Sequence, residues 1–155
     1  MSKFKSLLET YGESHQNKTN KLIHWICVPA IFFSIVGLIS IIPFPSEMSL
    51  VGSIKLNWAF IALILVLLYY LSLSIAISIG MTLFSLCCIY LCSELSTLEH
   101  PLWMYIGIFA VSWVFQFIGH HIEGKKPSFL QDIQFLLIGP AWLMHFIFEK
   151  LKIPY

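Results

Sequence analysis

The sequence predicts an all-α fold: a multi-pass transmembrane helix bundle with four to five membrane helices and an N-terminal amphipathic helix, residues 1–155 forming a single integral-membrane domain. Three observations predict it. Hydrophobic residues make up 58% of the chain, charged residues only 11%, and mean hydropathy is +0.83, whereas a soluble domain is about a quarter charged and about half apolar. The apolar residues are gathered into runs, most of them close to or longer than the ~20 residues that cross a bilayer. Prolines, glycines and short polar stretches separate these runs.

Residues 3–11 place Phe4, Leu7, Leu8 and Tyr11 at helical spacing, which predicts a short amphipathic helix on the membrane surface or against the core. The stretch Gly12–Asn20 is polar, and Asn20 is the expected N-cap of the first span. That span is expected over about Lys21–Ile42, ended by Pro43 and Pro45, and retained because the residues before it are too polar for a signal peptide. Pro43–Asn57 reads as a connector. Trp58–Cys92 is too long for one crossing, so two helices with a tight reversal near Tyr70–Ser74 are expected. Ser74, Ser78, Gly80 and Ser85 would let the second of them pack closely. An acidic loop, Ser93–His100, precedes Pro101, which suits the first turn of a span over Leu102–His121. After the loop GKKPS, the run Ile133–Phe148 is short and expected to kink at Gly139-Pro140, with an incomplete crossing.

Charge excludes some functions and orients the bundle. The net charge of +1 gives no footprint for nucleic acid. All nine basic residues are lysines, so there is no bidentate guanidinium for a phosphate. Cys27, Cys87, Cys88 and Cys92 lie in apolar runs without a CxxC pair and read as small hydrophobes. Lys3, Lys5, Lys18 and Lys21 put the N-terminus on the cytoplasmic side, and counting spans puts Lys125 and Lys126 there too.

This orientation brings three of the six histidines to one depth. His15 precedes the first span, His24 lies in its first turn, and His120 closes the fourth, with Glu123 one turn further on the same face. His121 points about 100° away. His15 and His24 are nine residues apart and can share a site only if the chain bends between them, which Gln16–Asn20 permits. Two or three imidazoles with a carboxylate suit iron(II) or zinc. Gln116, one turn before His120, has an amide that can orient a ligand. Spacing alone leaves structural roles equally open. Glu123 could pair with Lys126, while His100, His121 and His145 read as interfacial or hydrogen-bonding residues.

The pattern Tyr11-x3-His15-x4-Asn20-x3-His24-x4-Pro29, followed by Trp113-x2-Gln116-Phe117-x-Gly119-His120-x2-Glu123-x3-Pro127 and Gly139-Pro140, resembles the 2-hydroxy fatty acid dioxygenase family. These are small multi-pass membrane proteins of fatty-acid α-oxidation in phytosphingosine breakdown. The resemblance implies an Fe(2+) cofactor held by His15, His24 and His120. It implies Glu123 as a fourth ligand or base, and Asn20 and Gln116 as orienting groups. The implied partners are a long-chain 2-hydroxy fatty acid, dioxygen and membrane lipid. The implied location is the cytoplasmic membrane if bacterial or the endoplasmic reticulum if eukaryotic, with the metal site at the cytoplasmic face. Two other readings are a haem-binding electron carrier using His24 and His120, and a scaffold or small transporter with structural histidines. A di-iron hydroxylase fits less well, since neither HxxxH nor HxxHH occurs.

Overall fold

Each apolar run folds as helix in the computed structural model, which describes residues 3–45, 48–52, 54–126 and 133–154. The order is α1 (Lys3–Gly12), α2 (Lys18–Ser40), β1 (Ser49–Val51), β2 (Ile54–Lys55), α3 (Trp58–Leu73), α4 (Ile75–Leu95), α5 (Pro101–Glu123) and α6 (Ile133–Leu151). The two strands pair antiparallel within the connector, a small hairpin that composition did not announce. The second half of the GKKPS loop lies outside the described residues.

The first span starts earlier than expected, and capping is the reason. Asn17, not Asn20, is the N-cap: its side chain accepts from Thr19 N at 2.8 Å and from Asn20 N at 3.4 Å. Either asparagine can cap in principle. With Asn17 in that role, Asn20 moves inside the first turn and falls on the same face as His24, Cys27 and Ile31, all buried.

Ser74 makes the predicted reversal as a single extended residue, closing α3 and capping α4. The two helices run back along each other, since Ala59 and Leu63 near the start of α3 cluster with Cys88, Ile89 and Cys92 near the end of α4. Dividing the long run there leaves only 16 residues for α3, or about 24 Å of helix against a hydrocarbon core of ~30 Å. Consequently α2, α4 and α5 are the three described helices long and apolar enough to cross a membrane, and α3 is a shorter apolar helix. Leu65 of α3, Ile79 and Leu83 of α4, and Val111 and Val114 of α5 lie exposed on the outside, as lipid-facing residues would.

Glycines set the closest helix contacts. The principal packing is α2 against α5, where a Cβ at Gly37 would enter the Tyr105 ring. On α4, a Cβ at Gly80 would lie 2.8 Å from Met144 Sδ of α6. Phe4, Leu8 and Tyr11 of α1 are buried in a core with Ile138, Ala141 and Trp142 of α6. α6 continues as helix through Pro140, and Tyr70 Oη donates to Leu137 O at 2.6 Å just before it.

Candidate metal centre

The site forms where the beginning of α2 meets the end of α5, with the α1–α2 turn folded over both. Helix α1 ends in a tight turn in which His15 N donates to Gly12 O at 3.0 Å. The bend that lets His15 and His24 approach therefore falls at Glu13–Asn17, slightly earlier than expected. On α5, Gly124 adopts φ 73° and terminates the helix. Glu123 thus remains one helical turn from His120.

His15, His24 and His120 converge. Their exposures are 1%, 0% and 2%. Ring centroids are 4.3 Å apart for His15–His24, 5.0 Å for His15–His120 and 4.9 Å for His24–His120. One ring nitrogen from each lies within 4.8 Å of the others. His100 and His121 are exposed and outside this group, and His145 faces Glu149 with Nε2–Oε2 at 3.6 Å.

Backbone carbonyls select the protonation of two of the rings. His15 Nδ1 donates to Tyr11 O at 2.7 Å, and His24 Nδ1 donates to Asn20 O at 2.9 Å. A neutral imidazole has one N–H and one lone pair, so Nε2 of each ring carries the lone pair. Both Nε2 atoms are buried without a hydrogen-bond partner among the described residues. Leaving a polar atom so costs about 1–3 kcal/mol, and two of them beside a third buried imidazole fit a bound cation. Burial, with the neighbouring His24 adding to it, pushes the His15 pKa down to about 3. The ring is neutral at physiological pH and able to ligate.

The carboxylate of Glu123 holds the turn. Oε1 accepts from Gln16 N at 2.9 Å, and Oε2 accepts from Asn17 N at 2.8 Å and from Asn20 Nδ2 at 3.1 Å. It lies outside the three-histidine group. Asn20 is fully buried, and its Nδ2 also donates to Ser14 O at 3.2 Å. A Cβ at Gly119 would collide with Asn20 Oδ1, so glycine there gives the asparagine its place between the helices. Lys125 Nζ donates to Glu13 O at 2.7 Å, adding a tie between α5 and the turn.

Two aromatic residues were given no role in the site by the sequence reading, although Tyr11 opens the motif quoted above. The Tyr11 ring stacks on His15 at 4.3 Å and 14°, and Trp142 of α6 lies 5.2 Å from the same imidazole. A signal existed for each. Tyr11 is one helical turn before His15, and Trp142 follows Gly139-Pro140, where a Cβ on Gly139 would lie 3.0 Å from Tyr11 Oη. Tyr11 and Gln116 also line an apolar cavity of about 150 Å³ between α2, α3 and α6. Gln116 is buried at that cavity's edge, one turn from His120.

A buried trio of imidazoles at one end of a bundle whose helices are long and apolar enough to cross a membrane defines the class as a candidate metalloprotein. Over residues 1–151 the chain matches the family described as "2-hydroxy-palmitic acid dioxygenase Mpo1-like", and it belongs to that family. It is 28% identical over 148 residues to 2-hydroxy-palmitic acid dioxygenase MPO1 of Saccharomyces cerevisiae, covering 94% of this chain and 80% of the yeast protein. No solved structure matches it.

Proposed function

We propose that the chain is an Fe(2+)-dependent dioxygenase that converts long-chain 2-hydroxy fatty acids to fatty acids one carbon shorter. The observation that carries this reading is the pair of buried Nε2 atoms of His15 and His24, unpartnered among the described residues and grouped with His120, while Tyr11, stacked on His15, lines an apolar cavity. Family membership supplies the reaction class, and the name of the yeast relative supplies the kind of substrate.

His15, His24 and His120 would hold the metal. Iron, when bound, supplies the capacity to react with dioxygen and to accept an anionic oxygen ligand. Three neutral ligands leave its positive charge uncompensated, which favours a substrate carboxylate with a hydroxyl on the adjacent carbon. Gln116 is placed to orient that polar end through its amide, while the acyl tail lies among the apolar residues of the cavity. Tyr11 and Trp142 cover His15 and keep water from it. Asn20 and Glu123 act as positioning residues, because their hydrogen bonds tie the turn bearing His15 to α2 and α5. The lysine pattern favours a multi-pass protein with this site at the cytoplasmic face. A haem carrier fits less well, since the three imidazoles contact one another and leave no slot for a macrocycle between them.

Anaerobic purification, metal analysis and oxygen uptake with 2-hydroxyhexadecanoic acid test the proposal. The expected result is bound iron and one dioxygen consumed per pentadecanoic acid formed, with the carboxyl carbon leaving as carbon dioxide together with one water. Undiminished turnover after the metal has been stripped would overturn it.

A further inference from the structure

Two cavities meet at one pair of residues. The apolar cavity is lined by Tyr11, which stacks on His15, by Gln116, one turn before His120, and by α2 from Val28 to Ile39. A second, more polar cavity of about 420 Å³ lies at the other end of the bundle, where Lys55, Asn57, Ser93 and Ser96 contribute to its wall. Val36 and Ala59 line both cavities. They are 4% and 1% exposed, and they belong to one buried cluster. They are therefore the partition between an apolar space and a polar one.

We infer that the apolar cavity measures the substrate's acyl chain, with Val36 and Ala59 as the floor against which its methyl end stops. The inference rests on the proposed reaction for the identity of the ligand. The eight steps along α2 from Val28 to the floor at Val36 rise about 12 Å at ~1.5 Å each, a little under half the ~30 Å hydrocarbon core and so most of one leaflet of acyl chain. Inside this length each methylene leaves water for an apolar wall. Beyond the partition a further methylene would enter a polar cavity and gain nothing. On α3, Ala62 lines the tail space one turn from Ala59 without lining the second cavity, so side-chain size there sets the free length.

The test is displacement of a bound fluorescent fatty acid by saturated, unhydroxylated acids of increasing length, with each variant expressed as a ratio to wild type at the same length. That ratio cancels partition into detergent, and the wild-type profile itself is corrected with each acid's separately measured partition. Wild-type affinity is expected to rise about fourfold per added methylene and then to level at one chain length. Ala62→Phe should move the levelling point to shorter acids, and Val36→Ala should move it to longer ones. If Ala62→Phe fails to give folded protein, Val36→Ala decides alone. A wild-type profile that never levels, or a levelling point that stays fixed in folded variants, would overturn the inference. A movable levelling point without oxygen uptake from 2-hydroxy acids would keep the chain measure and remove the dioxygenase reading. Oxygen uptake with a profile that never levels would do the reverse.

Discussion

Helix α5 carries a histidine at each end, and the two ends differ in everything except residue type. His100 precedes the first turn, exposed, with no side-chain capping bond. His120 lies in the last turn, 2% exposed and packed against His15 and His24. Hydropathy does not separate them, since both border the same apolar helix. The difference lies in what other elements bring. The His120 end meets the α1–α2 turn, a glycine on its own helix and the first turn of α2. The lesson is that an imidazole at a membrane edge gains chemistry from convergence, and its own segment says little about that.

The largest expected effect breaks the comparison directly. His24→Ala or His120→Ala should remove bound iron and lower turnover by more than about a hundredfold, since even residues that only support a ligand cost 10–100-fold. His100→Ala should leave metal content and oxygen uptake at wild-type levels. Equal losses at both ends of α5 would remove the distinction.

A pair of glycines on the same helix sharpens it. Gly119→Ala drives a methyl into Asn20, and overpacking of this kind costs about 1–3 kcal/mol. The variant should melt lower and hold metal more weakly. Gly107 has nothing near its missing Cβ, so Gly107→Ala should be neutral or stabilising by up to about 1 kcal/mol through helix propensity. Thermal unfolding of the two variants in detergent checks this.

The smallest effect concerns Glu123. Glu123→Gln keeps the shape but replaces one acceptor oxygen with an N–H donor facing the turn's own donors. Iron affinity should fall about tenfold with the metal still bindable, as for a group outside the ligand set. Complete loss of metal, measured by titration, would make Glu123 a ligand and contradict the positioning role.

Much of the fold was legible in the chain, for local reasons. Pro43, Pro101 and the Trp58–Cys92 run located helix ends and the reversal because breakers and hydropathy act over a few residues. The error at the first cap came from competition between similar residues. Asn17 and Asn20 are equally good caps in isolation, and only the packing of Asn20 against Gly119 and Glu123 shows which one is needed inside the helix. The reversal at Ser74 leaves α3 at 16 residues, so three described helices have spanning length and α3 is a shorter apolar helix, a division that average hydropathy over the long run does not show. Trp142 was invisible as a site residue, since an aromatic near a span end has an adequate explanation in the interface alone.

From the sequence alone came the apolar, membrane-length helices, their order and the placing of His15, His24 and His120 at one end of the bundle. These follow from hydropathy and from the fixed rise of a helix, both properties of a segment by itself. The tertiary structure decided that the three rings meet in the membrane plane, which carbonyl each of the first two donates to, and which aromatic side chains enclose them. Lateral contact depends on how each helix is rotated and how closely its neighbour approaches, and those quantities are set jointly by residues on different segments.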